Sequence, residues 1–243
     1  MINLLLVGAM LMGASSSQAG VHSVADRHVT VFYPSTVSAA FANTCLSVTE
    51  QMYKVESDRF RIGTSDKMRV RICGDGFEFS NLTGSDSIAA PLNKDEVLYL
   101  IRGSDFKDVV FKSRVEAGVI RIILDRIRIN GAPWWLIHSA AVYESGQYKD
   151  CGAPPIENVQ YFADLDEKIQ NATTPSELND LCFYFGATGK FFDFKYGSGS
   201  FIKLIQQFNH PTTMREAAGR LFHADLDRVE QDWHDFLASQ THG

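Results

Sequence analysis

The periodicity of the hydrophobic residues changes about half-way along this chain of 243 residues. In the first half, short β-branched stretches, and stretches that alternate charged with apolar side chains, are typical of strands. Strands are predicted at 28–33, 67–73, 87–90 and 96–101, with a loop at 77–87. Between the first two strands, residues 37–56 carry apolar side chains at steps of three and four, which predicts a helix on the sheet. Its predicted cap is Ser35, Thr36 or Ser38.

The second half of the chain has a helical period almost throughout. Its longest amphipathic segment is 106–129, which Asn130 and Gly131 end, and Pro133 suits the first turn of the next helix. The polar side of this segment, with Lys112, Arg114, Arg121 and Asp125, is expected to face solvent. Gly118 inside this segment costs up to about 1 kcal/mol relative to alanine, so we expect close packing there. Further helices are predicted at 134–143, 156–170, 176–185, 191–208, 214–222 and 225–239, with a break at 197–200.

This order of elements predicts an α+β fold in a single domain, residues 20–243. We expect an α/β half, 20–130, and a helical half, 131–243, with a cleft between them. The first nineteen residues contain an apolar run and then Ser17-Gln18-Ala19, which is typical of a secretory signal peptide and its cleavage site. The mature chain is therefore expected to be exported and soluble, in the periplasm or in an outer-membrane-associated complex.

The net charge and the cysteine content exclude several classes of protein. A net charge of −6 without a basic cluster argues against a nucleic-acid-binding protein. The four cysteines of an exported protein favour disulfides, and sequence spacing favours the pairs Cys45–Cys73 and Cys151–Cys182. Four buried free thiols are the alternative. The chain has no Cys-x-x-Cys pair, so a zinc ribbon or a thioredoxin-like site is not predicted.

Residues 131–143, GAPWWLIHSAAVY, follow the long amphipathic segment and carry most of the candidate chemistry. They are similar to the Pro-x-Trp-Leu-x-Glu-Gly-Leu-Ala-x-Tyr motif of the gluzincin zinc peptidases, in particular the peptidase MA-like group. VTVFYP, the helix at 37–56 and MRVRIC resemble that group's N-terminal part, and 191–207 with 214–237 resemble its closing helices. The resemblance covers nearly all of the predicted mature chain and implies a gluzincin-like fold with a small mixed sheet.

The same resemblance implies that the zinc site is lost. It places Val115 and Val119 at the family's two histidine positions, Glu116 at its general base, and His138 at its third ligand. Valine cannot bind zinc, and the chain has no histidine between positions 28 and 138, so no other register restores the ligands. We therefore expect a pseudo-peptidase with a vestigial site, without a bound metal or other cofactor.

Three functions remain open at this stage. The first is a non-catalytic structural or interaction subunit of an exported bacterial assembly, with other envelope proteins as partners; the core complex of the Dot/Icm type IV secretion system is an example by analogy. The second is a module that binds a peptide or a glycan in the old cleft through Trp134, Trp135 and the edge strand near 97–101, with Tyr143 as a further cleft or interface residue. The third is a divergent hydrolase built on Glu116 and His138.

Overall fold

The fold is α+β, as the sequence predicts. In this computed structural model, the described residues are 20–63, 67–85, 92–151, 159, 161–174, 177 and 180–240. The predicted signal peptide, 1–19, and the predicted strand at 87–90 lie outside them. Within the described ranges, no helix combines the length and the apolar composition that crossing a membrane requires.

A five-stranded mixed sheet forms the first half of the fold. Its strands are β1 (Val21–Ala25), β2 (Val29–Pro34), β3 (Met68–Cys73), β4 (Leu92–Lys94) and β5 (Val97–Ile101). The spatial order is β1-β2-β3-β5-β4, and β2, β3 and β5 run parallel while β1 and β4 run antiparallel to their neighbours. Neither β1 nor β4 is predicted by the periodicity. The strand at 97–101, β5, is an inner strand, because it pairs with β3 on one side and with β4 on the other. The edge strand is β4.

Nine α-helices are present in the described part of the chain. They are α1 (Ala39–Phe60), α2 (Gly76–Thr83), α3 (Val109–Asp125), α4 (Trp134–Glu144), α5 (Phe162–Asn171), α6 (Cys182–Tyr196), α7 (Ser200–Gln207), α8 (Met214–Phe222) and α9 (Leu226–Gln240). Ser38 is the cap of α1, where its hydroxyl accepts a hydrogen bond from the Phe41 amide. Helix α2 replaces the predicted loop at 77–87, because Asp75 caps it through the Glu78 amide and Phe79 is fully buried.

Helix α3 is buried on two sides and joins the two halves of the molecule. On one side, Val115, Val119 and Ile123 pack into a core with the sheet and α1. On the other side, Ile120 and Leu124 belong to a second core, which the helices α4 to α9 build. A 3-10 turn, Arg126–Asn130, continues α3 and ends at Gly131, whose φ of 96° is favourable only for glycine.

Helix α6 runs through the segment 186–190, where the sequence predicts an interruption between two helices. Its glycines serve close packing instead. A Cβ at Gly186 would overlap the Tyr148 side chain, and a Cβ at Gly189 would lie within 2.5 Å of Tyr143 Cβ. The predicted break at 197–200 is confirmed, since α6 ends at Tyr196 and α7 begins at Ser200.

The cysteines divide into one disulfide and two free thiols. Cys151–Cys182 is bonded, as predicted. The pair Cys45–Cys73 is wrong, since both residues are buried free thiols. Cys45 points from α1 into the core on one face of the sheet. Cys73 has the strand parity of Arg69 and Arg71, so its side chain lies on the opposite face.

We expect chemical labelling to distinguish the two classes of cysteine. In the native protein, Cys45 and Cys73 should resist iodoacetamide, because burial raises the pKa of both thiols to about 12 and excludes the reagent. After denaturation without reductant, both should be alkylated while the peptides of Cys151 and Cys182 stay linked. Peptide mapping by mass spectrometry gives the result, and a peptide that links Cys45 to Cys73 would contradict this assignment.

Candidate functional site

A pocket of about 490 Å³ lies beside the edge strand β4. The β4–β5 turn forms one wall, α3 and α4 form the base, and the end of α5 closes the other side. The lining is mixed, with apolar side chains between charged and amide groups. The lining residues are Leu92, Asn93, Lys94, Asp95, Glu96, Arg121, Ile122, Asp125, Trp134, Ile137, His138, Ile169 and Gln170.

Arg121 and His138 are the two basic groups on the base of this pocket. His138 is 9% exposed and lies beside the rings of Trp134 and Phe185, with centroids 6.1 and 5.3 Å away. Burial, and then the charge of Arg121, lower the pKa of His138 to about 3. Burial lowers the pKa of Arg121 to about 10, which still leaves it charged at neutral pH. The pair therefore carries one positive charge, on Arg121.

The two adjacent tryptophans of α4 have different roles. Trp135 is 2% exposed, stacks on Phe162 with centroids 4.1 Å apart, and donates its backbone N–H to Asp166 at 2.6 Å. It is a core residue and does not line the pocket described above. Trp134 does line that pocket, and the guanidinium of Arg128 lies 3.4 Å from its ring centroid. A ligand in this pocket would therefore meet Trp134.

Fluorescence quenching should report this difference. Of the three tryptophans, Trp135 and Trp233 are buried, at 2% and 0% exposure, so acrylamide should quench chiefly Trp134. The variant Trp134→Phe should lose the quenchable part of the emission. The conservative variant Trp135→Phe is the matched control and should retain it. Equal loss in both variants would show that Trp134 is not the accessible indole.

The remaining residues of the predicted vestigial site are not gathered in this pocket. Val115 and Val119 face the sheet and are fully buried in its core. Tyr143 packs in the helical half, where its hydroxyl donates to Asp193 at 3.2 Å. Of the four vestigial positions, only His138 reaches the pocket.

Glu116 belongs to a different polar site, a cluster of three carboxyl groups and one arginine between α1, α3 and α4. Glu56 is 0% exposed, and Arg59 lies 3.2 Å from it and 3.3 Å from Glu144. Burial raises the pKa of Glu56 and of Glu144 to about 7, and burial also raises the pKa of Glu116. The carboxyl group of Glu56 therefore keeps its proton to a higher pH than an exposed glutamate does, and neither of its two oxygens has a hydrogen-bond partner among the described residues.

Sequence reasoning missed Arg121 and Glu56, and both errors concern the buried side of a helix. Arg121 is predicted to face solvent, but α3 is covered on two sides and only part of this side chain is accessible. The apolar stripe of α1 is predicted to continue to Val55, which is 47% exposed, whereas Glu56 takes the buried position. The sequence did contain one signal that Arg121 is partly buried, because this charged residue stands between Ile120 and Ile122.

No group of three or more His, Cys, Asp and Glu side chains in the described ranges is arranged to hold a metal ion. Comparison with known protein families, with curated proteins and with solved structures finds no match for this chain.

Proposed function

We propose that this protein is a non-catalytic interaction subunit of an exported bacterial assembly, and that it holds a segment of a partner protein in the pocket beside β4. The observation that supports this most is the packing of Val115 and Val119. The positions at which the gluzincin resemblance expects metal-binding histidines contribute apolar side chains to the core of the sheet. Each such fully buried side chain contributes roughly 1.5 to 3 kcal/mol to stability.

Export and the gluzincin relationship are parts of the same proposal. The Cys151–Cys182 disulfide fits an oxidising compartment such as the periplasm. An antiparallel edge strand, β4, next to the long helix α3 fits the order of elements that the resemblance implies. Among envelope machines, the core complex of the Dot/Icm type IV secretion system remains the first assembly to test.

The second candidate is a module that binds a peptide or glycan by itself, outside any stable assembly. The accessible indole of Trp134 in a pocket with polar walls favours it. The relevant edge for an added strand is β4, since β5 is paired on both sides by β3 and β4. The relevant aromatic residue is Trp134, since Trp135 is in the core.

Affinity purification of the native protein from envelope extracts separates these functions. An interaction subunit should co-purify with a small, constant set of envelope proteins in fixed ratios, and without stoichiometric zinc by elemental analysis. A monomer that isolates alone and then binds a peptide or glycan would favour the second candidate. Stoichiometric metal together with peptide hydrolysis would overturn the proposal and support a divergent hydrolase.

A further inference from the structure

The charge on Arg121 has no partner in the part of the chain that the structure describes. Its Nε is fully buried without a hydrogen bond. Burial lowers its pKa to about 10. The side chain as a whole is partly accessible and lines the pocket, and a partly desolvated cation without a counterion in a pocket is a candidate site for an anionic ligand.

The other positive side chain and two of the three carboxylates in the lining have partners. Lys94 donates to the carbonyl oxygens of Leu82 and Thr83, at 3.2 and 3.1 Å. Asp125 lies 3.3 Å from Arg128, and Glu96 lies 3.8 Å from Arg69. Of the two positive side chains in the lining, Arg121 is therefore the one with neither an ion pair nor a hydrogen bond among the described residues.

Asn93 on β4 holds this wall of the pocket against α3. It donates its side-chain N–H to the Gly118 carbonyl of α3 at 2.7 Å, which fixes the orientation of the amide. Its Oδ1 is buried against α3, where a Cβ at position 118 would lie 3.0 Å from it, so a ligand in the pocket does not reach this oxygen. The group that the pocket offers to an anion is therefore the guanidinium of Arg121.

From these contacts we propose that the pocket binds a carboxylate group of a peptide segment, with the carboxylate on the guanidinium of Arg121. This deepens the proposed function and rests on it for the identity of the ligand as part of a partner protein. An N-acylated amino acid carries the required carboxylate. Its side chain would contact Trp134, Ile122 and Ile137.

The charges of the lining disfavour a multiply charged ligand. The lining contains two positive side chains, Lys94 and Arg121, and three negative ones, Asp95, Glu96 and Asp125. His138 adds no charge at neutral pH, because burial holds its pKa near 3. A doubly charged phosphate would therefore be repelled more strongly than a single carboxylate, which matches the single guanidinium of Arg121.

Titrations followed by the NMR signals of the Trp134 indole N–H and the Arg121 Nε–H test the proposal. The probes are N-acetyl-leucine, which mimics a chain terminus, N-acetyl-glutamate α-amide, which mimics an acidic side chain, and the neutral N-acetyl-leucinamide. We expect saturable shifts in the millimolar range with at least one carboxylate and none with the neutral amide. Whichever carboxylate binds more tightly identifies its source in the partner.

The matched variants are Arg121→Gln and Arg114→Gln, the second on an exposed part of α3. The first should weaken binding of the carboxylate at least roughly tenfold, and the second should leave it unchanged. Arg121→Gln removes an unpaired, partly desolvated charge, so it should fold at least as stably as the wild type. Equal binding of acid and amide, no saturable shift with either acid, or unchanged binding in Arg121→Gln would overturn the proposal.

Co-purification and carboxylate binding together distinguish a failure of the carboxylate site from a failure of the proposed function. If envelope partners co-purify equally well with Arg121→Gln, the interaction subunit stands and the carboxylate site falls. If the carboxylates bind through Arg121 but no partner co-purifies, the site stands and its assignment to an envelope assembly falls.

Discussion

The variant Glu56→Gln should be more stable than the wild type at about pH 8, by up to about 3 kcal/mol. Burial raises the pKa of Glu56 from its ordinary 4.5 to about 7, so above pH 7 the folded protein must hold an ionised carboxylate that is 0% exposed. Each pKa unit corresponds to about 1.4 kcal/mol. Glutamine has nearly the same shape and removes this cost, because it does not ionise.

The sign of the pH dependence follows from the same shift. A carboxyl group with a raised pKa in the folded state binds its proton more tightly there than in the unfolded chain. Stability is therefore highest below the unfolded pKa of about 4.5 and is lost as the pH rises through the folded value of about 7. Glu144, whose pKa burial also raises to about 7, acts in the same direction. The wild type should be more stable at about pH 5 than at about pH 8.

Urea denaturation of the wild type and of Glu56→Gln at several pH values checks the predicted pH dependence of stability. The gap between Glu56→Gln and the wild type should be largest at alkaline pH and fall below about 1 kcal/mol near pH 4, where Glu56 is protonated in any case. Asp58→Asn, which alters an exposed carboxylate on the same helix, is the control and should stay within about 0.5 kcal/mol of the wild type. A destabilised Glu56→Gln at pH 8 would mean that the Arg59 ion pair outweighs desolvation.

Gly189→Ala should destabilise the protein by about 3 kcal/mol and lower its Tm by roughly 10 °C. The added methyl would lie within 2.5 Å of Tyr143 Cβ, the stiff beginning of a side chain on the neighbouring helix α4. Relief requires α4 and α6 to move apart, because Tyr143 Cβ cannot rotate away from its own backbone. Gly186→Ala should act in the same direction, through Tyr148.

Gly219→Ala is the matched control for this prediction. Gly219 lies inside the helix α8, and no atom lies within 4 Å of a Cβ placed there. Alanine has the higher helix propensity, so this variant should gain roughly 0.5 to 1 kcal/mol. Thermal unfolding followed by circular dichroism compares the two variants, and an unchanged Tm in Gly189→Ala would refute the close approach of α4 to α6.

Local patterns in the sequence predicted the elements whose signals lie within one turn or one strand. The limits of α8, 214–222, are confirmed to the residue, and Thr213 caps it in a reciprocal pair with Glu216. The strand β3 is predicted by alternation, and its buried positions 68, 70 and 72 follow that period. Helix α2 was missed, although Asp75 and Glu78 have the spacing of a capping box.

The candidate site could be predicted only in part. His138 was singled out by its position in a resembling motif, and it does line the pocket. Arg121 and Glu56 were not, because both lie on helix sides that a single amphipathic stripe assigns to solvent. The choice between Trp134 and Trp135 also needed the structure, since adjacent helical residues point about 100° apart and only the neighbouring helices decide which is covered.

By itself, the sequence determined the α+β class, the existence of most elements and the turn at Gly131, because these depend on side chains close together along the chain. The tertiary structure decided which cysteines meet, why two glycines lie inside α6, and that α3 is covered on both sides. These outcomes depend on which distant elements pack against each face. That packing also places the charge of Arg121 in a pocket and raises the pKa of Glu56 to about 7.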